Sequence, residues 1–140
     1  MSLKQHGERF RIATRRGLTA ITDQVRRAVA AAEVREGLCT VFIRHTSASL
    51  VIQENADPAV CRDLEAFLSR LVKDGDPLFT HTAEGDDDMS AHVKAALTRT
   101  SESIPVNGGQ LVLGTWQGLY VWEHREARQQ REVYVQILGE

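Results

Sequence analysis

Apolar and polar positions along the 140-residue chain change their period several times, and each change marks an expected element. Over Glu8–Thr14, Phe10, Ile12 and Thr14 alternate with Arg9 and Arg11, the pattern of a half-buried strand. From Thr22-Asp23 the spacing widens. Val25, Ala28, Val29 and Ala32 recur at helical intervals and predict a helix that Gly37 stops. Leu38–Arg44 (LCTVFIR) is short, β-branched and almost wholly apolar, which predicts a central strand. After HTSAS, the segment Leu50–Gln53 (LVIQ) predicts a partner strand.

Asp57-Pro58 reads as an N-cap followed by proline at the first helical position. The helix behind it carries Val60, Leu64, Phe67, Leu68, Leu71 and Val72 on one stripe, and Lys73-Asp74-Gly75-Asp76-Pro77 ends it. Met89, Val93, Ala96 and Leu97 predict a third, shorter helix. Asn107-Gly108 is a favoured hairpin pair between Ser103–Val106 and Gln110–Leu113. Leu119–His124 and Glu132–Leu138 complete the expected strands. Three prolines and no low-complexity tract leave little room for a hinge. The expectation is one α+β domain over residues 1–140: a single compact domain, mostly antiparallel sheet with two to three packed helices.

Composition narrows the function classes. A hydrophobic share of 42% and a charged share of 26% are those of a globular protein. Lys plus Arg number 17 against 19 Asp plus Glu, a net charge of −2, which argues against a general nucleic-acid binder. No apolar run approaches the roughly 18 residues of a membrane span, and MSLKQHGERFR lacks the apolar core of a secretory signal. Cys39 and Cys61 form no CxxC pair, so a reduced, cytoplasmic protein is expected.

Polar residues that need an explanation gather at His45–Ser49, Glu54-Asn55, His81–His92 and Gly114–His124, each at the end of a predicted strand or the start of a predicted helix. His45 continues the strand period of Val41 and Ile43, and His92 lies at the rim of a helix stripe. His124 shares a strand face with Tyr120 and Trp122. His81 precedes a run containing Glu84, Asp86, Asp87 and Asp88. Imidazoles beside carboxylates are a donor set for Zn²⁺ or Mn²⁺. No HExxH or paired Cys/His spacing accompanies them, and each histidine read alone is more often an ordinary surface or core residue. The three aspartates complement a helix N-terminus, and equally suit Mg²⁺ bridged to a diphosphate. HTSAS has no GxSxG or SxxK context and reads as an anion-holding or self-satisfied turn rather than a hydrolase nucleophile. In Gly114-Thr115-Trp116-Gln117-Gly118, Trp116 can stack on a flat heterocycle while Gln117 reads its edge, or the segment is a bulge with a packed tryptophan.

Taken in order, HTSASLVIQENADP, then H…EGDDDMSAHVKAAL, then IPVNGGQLVLGTWQGLYVWEHR with R…REVYVQILG, resemble the YjbQ family, whose members carry the name secondary thiamine-phosphate synthase. The likeness runs from Phe10 to Gly139. It implies a compact α+β fold, a homotrimer, and a pocket of histidines and acidic residues, often with a bound metal or anion. The matching positions are His45, Glu54, His81, Asp87, His92 and Thr115-Trp116-Gln117, with His124 less closely matched. The DDDM run departs from members that have further histidines there, so the divalent metal is left open between Zn, Mn and Mg.

The implied activity is a transferase reaction that joins hydroxymethylpyrimidine diphosphate to a thiazole phosphate with release of diphosphate. On that reading Glu54 and Asp87 are catalytic candidates. Ser47, Ser49, Thr115, Trp116 and Gln117 are substrate-binding candidates, and His45, His81, His92 and His124 are metal-ligand candidates. The alternative is a non-catalytic module for a small phosphorylated or anionic metabolite. A third reading makes the histidines core and interface residues of an oligomer.

Overall fold

The computed structural model describes residues 2–140. In chain order the elements are β1 (Lys4–Thr14), β2 (Gly17–Ala20), α1 (Thr22–Ala32), β3 (Gly37–Ile43), β4 (Ala48–Glu54), α2 (Pro58–Leu71), α3 (Asp86–Leu97), β5 (Ser101–Asn107), β6 (Gln110–Leu111), β7 (Gln117–Glu123) and β8 (Gln129–Gly139). The α+β class is as expected, but the strands divide into two antiparallel sheets: five strands in the order β1-β8-β3-β5-β6, and three in the order β2-β7-β4.

β3 is the central strand its sequence predicts, flanked by β8 and β5. β4 is not its partner. It pairs with β7 in the smaller sheet, Ala48 opposite Glu123 and Glu54 opposite Gln117. Leu50 and Val121 face the main core, which lies between the two sheets and under Val25, Ala28 and Val29 of α1. Val51, Tyr120 and Trp122 face the other way, into a second cluster closed by Leu68 of α2. A strand covered on both faces reads as a continuous apolar run, so its sequence does not say which sheet it joins.

Several boundaries differ from expectation for identifiable reasons. α1 ends on Glu33 in the left-handed conformation, φ 53°, and Gly37 opens β3 instead of stopping the helix. A Cβ at Gly37 would lie 2.1 Å from the Leu138 carbonyl oxygen, so close strand approach explains that glycine. The hairpin turn sits one residue later than Asn107-Gly108. Asn107 pairs with Gln110, and Gly108 and Gly109 take the two positive φ values, 60° and 77°, that a type I′ turn requires.

α2 begins as predicted, with the Asp57 carboxylate accepting from the Ala59 N–H at 2.9 Å. Only part of its stripe is covered: Leu68 and Val72 are buried, whereas Phe67 and Leu71 are exposed. In α3 the inward face is not Met89, Val93, Ala96 and Leu97. It is Asp88, Ser90, Ala91, Lys94 and Ala95. The groups beneath it are polar: Ser90 bonds to Asp74, and Asp88 is ion-paired to Arg125. Among the described residues, no helix is long and apolar enough to cross a membrane.

Candidate metal centre

The first turn of α3 holds Asp86, Asp87 and Asp88 behind a glycine N-cap, Gly85 at φ 104°. Asp88 and His92 are four residues apart, so they project from one helix face. His81, from the loop before α3, reaches the same point. Its Nε2 lies 2.7 Å from Asp88 Oδ2, and His92 Nε2 lies 3.1 Å from the same oxygen. The imidazole rings meet edge to face, with centroids 5.4 Å apart. All three donor atoms lie within 4.8 Å of one another, the only such grouping among the described residues.

The tautomer of His92 follows from its other nitrogen. Nδ1 sits 2.9 Å from the Thr46 carbonyl oxygen, which can only accept, so Nδ1 carries a proton. Nε2 then faces a carboxylate oxygen, and the pair needs a proton or a metal ion between them. A ligating histidine held through its second nitrogen by a backbone carbonyl is the usual support of a metal site. Two imidazole nitrogens and one carboxylate oxygen suit Zn²⁺ or Mn²⁺ and leave further coordination positions open. Mg²⁺ prefers oxygen donors and suits the set less well. Burial alone would raise the Asp88 pKa. The His81 hydrogen bond and the charges of His92 and Arg125 outweigh it and hold the carboxyl below its ordinary range.

Asp87, the carboxylate expected at the site, faces elsewhere. Arg125 Nε donates to its Oδ2 at 3.1 Å and the Glu126 N–H donates to the same oxygen at 2.9 Å. Arg125 also donates through Nη1 to Asp88 Oδ1 (2.9 Å) and through Nη2 to the Glu84 carbonyl (3.0 Å). Sequence reasoning singled out neither Asp88 as a ligand nor Arg125. The spacing of Asp88 and His92 is the signal that could have found the first; nothing local marks the second.

His45 and His124 stay outside the cluster. The Glu132 N–H donates to His45 Nε2 at 2.7 Å, which occupies that lone pair. Burial and the Arg131 charge push the His45 pKa down. His124 is fully buried, with Nε2 2.9 Å from Ser49 Oγ. Burial, reinforced by the Lys94 charge, pushes its pKa down to about 3, so it is neutral. Ser47 is likewise engaged internally, its Oγ accepting from Arg131 Nη2 at 2.9 Å. Arg131 is in turn paired with the buried Glu123, which also accepts from Thr14.

Glu54, Thr115, Trp116 and Gln117 form a separate group at the far end of β4 and β7. Asn55 Nδ2 donates to the carbonyls of Thr115 and Gln117, at 3.1 and 3.2 Å. Gln117 Oε1 accepts from the Gly114 N–H at 2.8 Å, and Glu54 Oε2 accepts from the Asp57 N–H at 2.7 Å. Trp116 is 64% exposed. With a rise of about 3.3 Å per residue, the seven residues of β4 hold this group about 20 Å from the histidine end. The cleft that His81 lines is about 190 Å³, and His81 shares it with Gly75, Pro77, Phe79 and Met89. That is below the roughly 300 Å³ at which ordinary small-molecule pockets begin.

The fold recurs in known proteins. Residues 8–140 match the family model described as UPF0047 protein YjbQ-like. The chain is 50% identical over 140 residues to the UPF0047 protein sll1880 of Synechocystis sp., covering 99% of this chain and 95% of that one. It is 39% identical over 129 residues to the UPF0047 protein YjbQ of Escherichia coli O157:H7, covering 91% and 93%. Among solved structures, a YbjQ-like protein of unknown function from Sulfolobus solfataricus P2 superposes with a TM-score of 0.90 at 28% identity, over 99% of this chain and all of that one. A yjbq/upf0047 family protein from Clostridium acetobutylicum does so with a TM-score of 0.85 at 36% identity, over 93% and 98%. With two-sheet architecture, sequence and nearly full-length coverage in agreement, the chain belongs to the YjbQ (UPF0047) family.

Proposed function

We propose that this protein is a divalent-metal enzyme acting on a small phosphorylated substrate, with thiamine-phosphate synthase activity as the specific reaction. The observation that carries the metal reading is the His81–Asp88–His92 donor set, with His92 oriented by the Thr46 carbonyl. Zn²⁺ or Mn²⁺ fits those donors. Bound there, the ion would neutralise charge developing on a departing diphosphate. His81 and His92 supply neutral nitrogens and Asp88 supplies Oδ2, while Arg125 holds Asp88 Oδ1 and Asp87 offsets the guanidinium charge. The reaction itself comes from the family resemblance.

The distance between the histidine group and the Glu54–Trp116 group bears on assembly. No small substrate spans both within one chain. The homotrimer implied by the resemblance would let the Trp116 loop of one copy approach the histidines of another, and exposed Phe67, Leu71 and Leu97 are apolar surface available for such contacts. Light scattering on the purified protein tests this directly: a monomeric mass would remove it. The free thiols of Cys39 and Cys61 accord with a cytoplasmic setting.

The activity test incubates the protein with hydroxymethylpyrimidine diphosphate and thiazole phosphate in the presence of Zn²⁺, Mn²⁺ or Mg²⁺. Thiamine phosphate and diphosphate should appear together, and the His81→Ala/His92→Ala variant should form neither. Failure with every metal would remove the transferase claim. A second reading keeps the His81–Asp88–His92 donor set and drops the chemistry: a metal-loaded module that binds a small anionic metabolite without turnover. A thermal shift with phosphorylated ligands and no product would support it.

A further inference from the structure

We infer that Arg125 is a positioning residue of the metal centre, dividing the tandem aspartates so that Asp87 neutralises its guanidinium and Asp88 is left to ligate. The inference rests on reading His81, Asp88 and His92 as metal ligands. A carboxylate at the start of a helix is free to turn about its last torsion and present either oxygen. Arg125 removes that freedom. Its Nη1 takes Asp88 Oδ1 at 2.9 Å, so the oxygen left facing His81 and His92 is Oδ2. Its Nε and Nη2 take the two oxygens of Asp87, at 3.1 and 3.4 Å, and Nη2 also donates to the Glu84 carbonyl. Only a planar guanidinium has enough donors in one rigid frame to span neighbouring carboxylates in this way.

The frame is anchored from behind. The Arg125 backbone N–H donates at 3.0 Å to Oε2 of Glu123. Glu123 is fully buried and its other oxygen accepts from Thr14 and from Arg131. Arg131 donates to the Ser47 carbonyl and hydroxyl, in the residue next to Thr46, whose own carbonyl holds His92. One buried carboxylate therefore reaches Asp88 through Arg125 and His92 through the Arg131–Ser47 link. A cation so close to a metal ion would by itself repel it. Asp87, bonded to two guanidinium nitrogens and to the Glu126 N–H, offsets that charge. The adjacent aspartates thereby take different partners, Asp88 the histidines and Asp87 the guanidinium.

Metal binding separates this role from simple structural support. Zn²⁺ affinity is measured by calorimetry on the full chain for wild type, Arg125→Lys, Arg125→Gln, Asp87→Asn, Asp87→Asn/Arg125→Gln and His81→Ala/His92→Ala, together with the visible spectrum of the Co²⁺-loaded forms. Both arginine variants should bind about 10- to 100-fold more weakly, with an altered Co²⁺ band. Asp87→Asn/Arg125→Gln should bind no more weakly than Arg125→Gln alone, because the guanidinium charge that Asp87 offsets is already gone. Wild-type affinity and spectrum in Arg125→Lys and Arg125→Gln, with binding abolished in the double-histidine variant, would overturn the positioning role and leave the metal centre standing. Absence of binding in wild type would overturn both. If Arg125→Gln does not fold, Arg125→Lys and Asp87→Asn carry the same comparison.

Discussion

His92 Nδ1 lies 2.9 Å from the carbonyl oxygen of Thr46, the second residue of the HTSAS turn after β3. This one bond ties α3 to the connection between the two sheets, sets which imidazole nitrogen carries the proton, and aims the other at Asp88. It makes the histidine cluster a product of the fold and not of α3 alone.

Metal should therefore stabilise the folded chain through this cluster. At free Zn²⁺ a hundredfold above its dissociation constant, linkage predicts about 2.7 kcal/mol of added stability. Wild type should melt several degrees higher with Zn²⁺ than with a chelator. Asp88→Asn and His92→Ala should show no such rise in a thermal scan.

Acid should weaken the metal-free protein before its carboxylates titrate. His124 and His45 have pKa values lowered by burial in the folded state, His124 to about 3, against an ordinary value of 6.5. Between those values the unfolded chain binds more protons, so stability is lost as pH falls from 7 towards 5. For His124 the loss reaches at most about 1.4 kcal/mol per pH unit. Urea midpoints at pH 7 and pH 5 check this. His124→Asn should shrink the difference between them, and an unchanged difference would locate the effect elsewhere.

Glu123 and Arg131 form an ion pair in which neither side chain meets solvent appreciably. Glu123→Gln leaves the guanidinium without its counter-charge and should cost about 3–5 kcal/mol, the usual penalty for breaking a buried pair from one side. Replacing both partners, as in Glu123→Gln/Arg131→Met, should recover part of the loss. Denaturant midpoints of the three proteins decide it.

Two glycines predict opposite tolerance. A Cβ at Gly139 would lie 2.1 Å from the Glu36 carbonyl oxygen, in the tight contact that closes β8 against the start of β3. Gly139→Ala should cost about 3 kcal/mol, the upper end for overpacking. A Cβ at Gly108 meets nothing within 4 Å, and only its φ of 60° resists substitution. Gly108→Asn should cost less than about 1 kcal/mol, because asparagine tolerates this conformation.

The cysteines should differ in reactivity. Cys39 is fully buried and burial raises its thiol pKa to about 11, whereas Cys61 is partly exposed. A disulfide reagent should titrate Cys61 in the native protein and reach Cys39 only after denaturation. Equal rates for both would contradict the packing of β3.

Local chemistry alone determined much of this protein. Asp57-Pro58 starts a helix because a carboxylate cap and a residue without an N–H suit that position in any surroundings. The apolar run of β3 and the alternation of β1 are likewise properties of their own residues. Family membership was legible in the order of HTSAS, the DDDM run and LGTWQG.

Tertiary structure decided the rest. Whether β4 pairs with β3 or β7 depends on what covers its two faces, and an apolar run is silent on that. Which aspartate meets His81 depends on the rotation of α3 about its axis. Successive residues differ by 100° around a helix, and that rotation is fixed by contacts to distant segments, among them Thr46, Asp74 and Arg125. His45 and His124 resemble His81 and His92 as sequence, yet a backbone N–H and a buried serine claim their nitrogens and keep them within the scaffold. A side chain's chemistry is written in its residue type. Its partners are set by distant segments, and those become neighbours only when the chain has folded.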